Sequence, residues 1–107
     1  MAKKTPTTAK FLRKTKKITL ADMATGHGRD YLIRNTAEEF GEYCAAVTIS
    51  EGIKIKPLKE SPKQEAVDLI ICALSLFYAE GGTDEELASY GMTKLQKWAD
   101  RIPSYKK

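Results

Sequence analysis

The segment that most constrains the fold is an apolar run over residues 66–79, in which Asp68 is the only charged residue. Ser61, Pro62 and Gln64 stand just before this run and form the pattern of a capping box with proline at the first helical position. Gly81-Gly82 follows the run and is typical of a helix end. The pattern therefore predicts a helix that is apolar on nearly every side and is enclosed by partners on several sides.

Two further helices are predicted before this run. Thr19-Leu20-Ala21-Asp22 has the pattern of a cap and a first turn, so we expect a short helix that ends at Gly26. A longer helix is predicted from Arg29 to Ser50. Six of its residues form one apolar stripe that is expected to face the core: Leu32, Ile33, Phe40, Tyr43, Cys44 and Val47.

A fourth helix is predicted after the run. Thr83 and Glu86 repeat the capping-box pattern, and Pro103 closes the helix. No stretch of the chain shows sustained alternation of apolar and polar residues, which would indicate a strand. We therefore predict an all-α protein, an antiparallel bundle of about four helices.

Size and composition place the chain among single globular domains. It has 107 residues, of which 42% are hydrophobic, and this is enough to build a core. The apolar run is too short to span a membrane, and the basic N-terminus lacks the apolar segment of a secretory signal. Cys44 and Cys72 lie in apolar helical patterns, so we expect two buried reduced thiols in a cytoplasmic protein.

The basic residues are unevenly distributed. Residues 1–17 contain seven lysines and arginines and no acid. Removing these seven from the 18 basic residues leaves 11 against 14 acidic residues, so the rest of the chain carries a net charge of −3. We expect a flexible basic tail at 1–17 and a helical domain at 18–107. Such a tail is either a solvated chain end or a contact for nucleic acid.

Two pairs of acidic residues carry most of the chemical information. Glu39 and Glu42 are three residues apart, as are Glu65 and Asp68, so each pair points two carboxylates the same way on its helix. A short connector favours antiparallel packing of the two helices, which would set four carboxylates around one cavity. So many negative charges demand cations, and magnesium suits carboxylate ligands. The alternative is that Glu38, Glu39 and Glu42 form an ordinary solvated face.

Magnesium usually brings phosphates with it, and phosphates need positive partners. Candidate phosphate ligands occur in two places, on the connector between the acidic helices and on the last helix. They are Lys54, Lys56 and Lys59, and Lys94, Lys97 and Arg101. Each of these residues, taken alone, is more often an ordinary surface charge than a phosphate ligand.

The order and spacing of these motifs resemble a known family. Glu39-x-x-Glu42 followed by Glu65-x-x-Asp68 is similar to the signature of the MazG-like nucleotide pyrophosphohydrolases, within the all-α NTP pyrophosphatase superfamily. The segment from Lys94 to Arg101 is similar to the family's basic C-terminal helix, although the asparagine often found there is absent. The resemblance covers roughly residues 29–101. The long first helix of the family is abbreviated here or replaced by the basic tail.

The resemblance implies a Mg²⁺-dependent enzyme, with Mn²⁺ as a substitute ion, that cleaves nucleoside triphosphates into a monophosphate and pyrophosphate. It implies that Glu39, Glu42, Glu65 and Asp68 bind metal and that Glu38 activates the attacking water or ligates a second ion. It also implies assembly as a homodimer or homotetramer. The resemblance further implies that Lys94, Lys97 and Arg101 on the last helix bind phosphates, assisted by Lys54 and Lys56 on the connector. Trp98 or Tyr90 would stack on the base, although core packing is the better explanation for each of these two aromatic residues.

Two other readings remain open. The first is a non-catalytic helical binding or regulatory module that uses the basic N-terminal tail to contact nucleic acid. The second is a structural helical subunit in which the acidic pairs only form ion pairs. The residues also leave open which base and sugar an enzyme of this kind would prefer.

Overall fold

The computed structural model describes residues 5–53, 57 and 59–105, and these residues form helices and loops without a strand. The four helices are α1 (Thr8–Ala24), α2 (Arg29–Ser50), α3 (Pro62–Ala79) and α4 (Asp84–Asp100). The prediction of an all-α protein with about four helices is therefore confirmed. The predicted bounds of the second helix agree with those of α2.

Helix α3 is the centre of the fold, because both α1 and α2 pack along it. The buried apolar residues are few: Leu32 and Ala46 on α2 and Tyr78 on α3, which is only 2% exposed. The hydroxyl of Tyr78 donates a hydrogen bond of 2.8 Å to the carboxylate of Asp84 at the start of α4. Burial, together with this bond, raises the pKa of Tyr78 to about 12. This bond fixes the corner between α3 and α4.

Both predicted capping boxes are confirmed. The hydroxyl of Ser61 accepts a hydrogen bond from the Gln64 backbone N–H at 3.2 Å, and the Gln64 side chain accepts one from the Ser61 N–H at 3.0 Å. Thr83 and Glu86 make the same pair of bonds at 3.1 and 3.0 Å. Because these bonds satisfy backbone N–H groups that a helix start leaves free, they fix where α3 and α4 begin.

Replacing Ser61 with alanine is expected to lower the free energy of unfolding by about 1 kcal/mol, since it removes a side-chain cap from the central helix. Urea unfolding of the wild type and of the Ser61→Ala variant, at the same protein concentration, measures this change. Lys63→Ala, a substitution of an exposed residue at the second position of the same helix, is the control. A Ser61→Ala midpoint equal to that of the control would contradict the role of the cap.

The predicted short first helix and flexible tail are not what the structure shows. Helix α1 begins at Thr8, eleven residues before the predicted cap, and the hydroxyl of Thr7 accepts from the Lys10 N–H at 3.1 Å. The predicted domain boundary at residue 17 thus falls inside α1. Thr15 and Thr19 are buried, and the hydroxyl of Thr19 lies 2.8 Å from that of Ser75 on α3. Residues 8–17 are therefore part of the packed fold, and α1 ends as predicted just before Gly26, at φ +107°.

Helix α4 does not join the other three. Its axis is bent by 115° from that of α3, and it forms no extensive contact with α1, α2 or α3 within the described residues. None of its residues is buried, and Leu95 and Trp98 are 52% and 62% exposed. The expectation that all four helices close into one antiparallel bundle is therefore not met within a single chain.

Several side chains expected in the core are also exposed. On α2, Leu32 is buried, but Ile33, Phe40 and Cys44 are exposed, so the predicted apolar stripe is covered only in part. On α3, which was expected to be enclosed, Val67 and Ile70 are exposed and Cys72 is half-buried. Within the described residues no single helix is long and apolar enough to cross a membrane, and only α3 and α4 taken together, across their bend, reach such a length and composition.

Candidate metal centre

The packing of α2 against α3 brings carboxylates together near the start of α3. Oxygen atoms of Glu39, Glu42 and Glu65 all lie within 4.8 Å of one another. Oxygen atoms of Glu60, Glu65 and Asp68 form a second group within the same distance. Because Glu65 belongs to both groups, these five residues form one continuous arrangement, which we call the acidic cluster. The four carboxylates that the sequence pattern singled out are all in it.

Local helix geometry positions Glu65 at the centre of the acidic cluster. The Ser61 cap starts α3, and the Glu65 backbone N–H donates to the Ser61 carbonyl at 3.0 Å. Glu65 therefore lies in the first turn of α3, where the partial positive charge of the helix N-terminus favours an anion. Glu39 and Glu42 reach the same place from α2, because they are one turn apart on the side that packs against α3.

The two carboxylates that face each other across the helices are poorly satisfied. Glu65 is only 8% exposed, although a glutamate is rarely buried without a partner. One carboxylate oxygen of Glu65 and one of Glu39 are inaccessible to solvent and have no hydrogen-bond partner within the described residues. Buried polar atoms without a partner destabilise a fold and usually mark a bound ion, a water or a functional site.

The electrostatics of the acidic cluster raise the pKa values of Glu65 and Glu39. Burial raises the pKa of Glu65, and the carboxylates of Glu60, Glu42 and Asp68 raise it further. Burial is also the largest cause of the raised pKa of Glu39, followed by the charges of its acidic neighbours. The charged groups that shift these two pKa values are all carboxylates. Within the part of the chain that the structure describes, no cation is among the groups that shift them.

A hard divalent cation fits this donor set. Magnesium and calcium bind carboxylate oxygens, and a cation between Glu39 and Glu65 would satisfy both unpartnered oxygen atoms. It would also offset the mutual repulsion that raises the pKa of each residue. The residues present are thus suited to hold Mg²⁺ or Mn²⁺.

A groove opens beside the acidic cluster. It has a volume of about 510 Å³, which lies within the range of sites for small molecules. Glu42, Glu60 and Glu65 form its acidic side, and Lys59 also lines it. The remaining wall is formed by small and aliphatic residues: Ala45, Ala46, Ile49 and Pro57. The groove thus sets an apolar wall and the ammonium group of Lys59 next to the candidate metal ligands.

Glu60 is a member of the acidic cluster that the sequence pattern missed. It stands just before the Ser61 cap, outside the helices, so helical spacing does not pair it with Glu65. The chain enters α3 at Ser61, and this entry brings the Glu60 carboxylate within reach of Glu65 and Asp68. The sequence signal for Glu60 is its position, because it is an acidic residue next to the Ser61 cap and this cap precedes the predicted ligand Glu65.

Other predicted site residues lie away from the acidic cluster. Lys94, Lys97 and Arg101 are exposed on α4 or at its end, as are Trp98 and Tyr90, and α4 forms no extensive contact with α2 within the described part of the chain. The structure therefore does not bring the basic residues of α4 to the carboxylates of the same chain. Tyr90 instead donates a hydrogen bond of 3.1 Å to Glu86.

Glu38 is exposed on α2 and belongs to neither group of close carboxylates. Its predicted part in catalysis therefore has no contact with the acidic cluster to support it. The predicted phosphate ligands Lys54 and Lys56 lie outside the described residues. Lys59, from the same connector, is the lysine that lines the groove.

Comparisons of this chain with protein-family models, with curated proteins and with solved structures found no match.

Proposed function

We propose that this protein is a Mg²⁺-dependent nucleoside triphosphate pyrophosphohydrolase, which cleaves a ribo- or deoxyribonucleoside triphosphate into a monophosphate and pyrophosphate. The observation that carries the proposal is the unpartnered pair of buried carboxylate oxygens, one on Glu39 and one on Glu65. A fold tolerates such a pair when a bound cation completes it. The order and spacing of the acidic pairs, which resemble the MazG-like enzymes, support the choice of reaction.

Each part of the site has a role in this proposal. Glu39, Glu42, Glu65 and Asp68 hold the cation, with Glu60 as a fifth candidate ligand. A divalent cation polarises phosphoryl oxygens and lowers the pKa of bound water. The groove takes the nucleotide, with Lys59 beside the phosphates and the aliphatic wall against the base or sugar. The resemblance also assigns the orientation of the attacking water to Glu38, although this residue belongs to neither group of close carboxylates.

The protein also needs a second copy in this proposal. The chain exposes 8775 Å², whereas a compact monomer of 11.9 kDa exposes about 6,000 Å². Its radius of gyration is 16.9 Å, compared with about 13 Å for a compact chain of this length. One contribution to this large surface is the side of α4 that no other helix covers, where Leu95 and Trp98 are 52% and 62% exposed. We therefore infer a homodimer or a homotetramer.

Helix α4 is the element best suited to that interface. One side of α4 and of its C-terminal extension is apolar. It carries four residues at successive spacings of eight, three and four positions, which are Leu87, Leu95, Trp98 and Ile102. Lys94 and Arg101 lie on the flank of this apolar side. Burying it against a second copy would carry those cations into the neighbouring subunit. This assembly would add the cations of α4 to Lys59, which lines the groove from its own chain.

The experiment that tests the function is pyrophosphate release from a panel of ribo- and deoxyribonucleoside triphosphates with Mg²⁺ or Mn²⁺. Glu39→Gln is expected to lower turnover by about 100-fold or more, because it removes a cation ligand and leaves the fold intact. Glu51→Gln, which removes the same charge from an exposed residue at the end of α2, is the control. Absence of turnover by the folded, metal-loaded protein with every nucleotide would contradict the proposed function.

A further inference from the structure

The exposed side of α1 carries a row of cations that the proposed enzyme site does not use. Four basic residues lie on one side of the helix, because they are spaced by three and four positions. We call them the basic stripe, and they are Lys10, Arg13, Lys14 and Lys17. All four are exposed. The opposite side of α1 carries Thr15 and Thr19, which are buried against α3. The basic stripe therefore points away from the core.

The charge of the basic stripe is not neutralised by its neighbours. Within the described residues, none of its four side chains forms an ion pair. Asp22 is the one acidic residue of α1, and its carboxylate is 2.8 Å from His27 rather than beside a lysine. Lys16 points elsewhere, with its ammonium group 5.7 Å from the centre of the Tyr78 ring. The four cations of the basic stripe are thus available to an external anion.

The basic stripe lies far from the acidic cluster. Thr19 touches Ser75, and Lys16 lies over Tyr78, so α1 runs antiparallel to α3 and its N-terminal half lies toward the C-terminal end of α3. Glu65 is thirteen residues before Tyr78 in α3, a separation of about 20 Å along a helix axis. The basic stripe therefore does not compensate the charge of the acidic cluster in the same chain.

We propose that the basic stripe binds the phosphate backbone of double-stranded nucleic acid. From Lys10 to Lys17 the stripe extends about 10 Å, the axial length of about three base pairs. Phe11 is the one aromatic residue of α1 and is half-buried, so α1 offers no fully exposed aromatic ring on which single-stranded bases could stack. The exposed large apolar residues of α1 are Ile18 and Leu20, and residues two apart lie on different sides of a helix, so they do not form one apolar face for insertion into a membrane.

Fluorescence anisotropy with a labelled DNA duplex of arbitrary sequence and the full chain tests this proposal. The logarithm of the binding constant is expected to fall with the logarithm of salt concentration, by about one unit for each basic residue engaged. Four contacts correspond to a loss of about 100-fold in affinity between 50 and 200 mM salt. Lys10→Gln combined with Lys14→Gln is expected to weaken binding and to reduce that slope by about two.

The matched control removes two positive charges from elsewhere on the surface. Arg34→Gln combined with Lys63→Gln changes two exposed residues of α2 and α3 and leaves the basic stripe intact. It is expected to leave the slope unchanged, and both double variants are expected to retain nucleotide hydrolysis, so this proposal stands apart from the proposed enzyme. Absence of duplex binding, an equal effect of both double variants, or preferential binding to vesicles of phosphatidylcholine and phosphatidylglycerol would overturn it.

Discussion

Glu65→Gln is expected to abolish the response of the protein to Mg²⁺ and, at the same time, to make the metal-free protein more stable. The side chain is 8% exposed, and one of its oxygen atoms has no partner. Glutamine has the same shape without the charge, so the repulsion from Glu60, Glu42 and Asp68 disappears. The same substitution removes the ligand that both groups of the acidic cluster share. Few substitutions at an ordinary buried residue stabilise a protein. Loss of the Mg²⁺ response together with higher metal-free stability would therefore identify Glu65 as a metal ligand.

Thermal unfolding with and without Mg²⁺ measures both effects. We expect the wild-type melting temperature to rise on addition of Mg²⁺, because a ligand that binds only the folded state stabilises it. The variant should start higher and show no such rise, and its pyrophosphate release should fall by about 100-fold or more. Glu51→Gln, which removes the same charge from an exposed residue at the end of α2, should leave the metal-free melting temperature and the Mg²⁺ response unchanged.

The raised pKa of Glu65 also sets the pH dependence of this comparison. A carboxyl whose pKa is raised in the folded state binds its proton more tightly there than in the unfolded chain. Its protonation therefore stabilises the metal-free fold fully below the ordinary glutamate pKa of 4.5, and this stabilisation is lost as the pH rises through the raised value. The melting-temperature difference between variant and wild type should be largest at neutral pH and shrink on acidification. A constant difference would contradict a charged, uncompensated Glu65.

Leu95→Gln combined with Trp98→Gln is expected to dissociate the proposed homodimer or homotetramer into monomers. Both side chains are more than half exposed in the single chain and lie on the apolar side of α4. At the centre of an interface, the loss of such a side chain typically costs about 2 kcal/mol or more, so the dissociation constant should rise by at least about 100-fold. Light scattering after size-exclusion chromatography should give a multiple of 11.9 kDa for the wild type and 11.9 kDa for the variant.

Ser89→Gln combined with Thr93→Gln is the control for this experiment. Both residues are exposed on the opposite side of α4, so the assembly should keep its mass. If the variant at Leu95 and Trp98 becomes a monomer and also loses turnover while it remains helical, the site depends on a second copy. A wild-type mass of 11.9 kDa at micromolar concentration would contradict the proposed oligomer and would leave the cations of α4 without a route to the acidic cluster.

The errors in the predicted helices have a physical explanation. The sequence pattern did not predict a helix over residues 8–18, because the buried side of α1 carries Thr15 and Thr19 and threonines do not form an apolar stripe. The hydroxyl of Thr19 is satisfied by Ser75, 56 residues away in the chain, so its burial is visible only in the folded structure. The basic residues on the exposed side then gave the segment the composition of a solvated tail.

Local signals were sufficient for the starts of α3 and α4 and for the pairing of carboxylates, because capping bonds and helical spacing join residues three positions apart. The direction of α4, the burial of Glu65 and the membership of Glu60 in the acidic cluster were decided by packing. These features depend on contacts between segments that are distant along the chain, and local sequence does not encode the angle at which two helices meet. In our proposal, part of this packing belongs to a second copy, which would cover the exposed apolar side of α4.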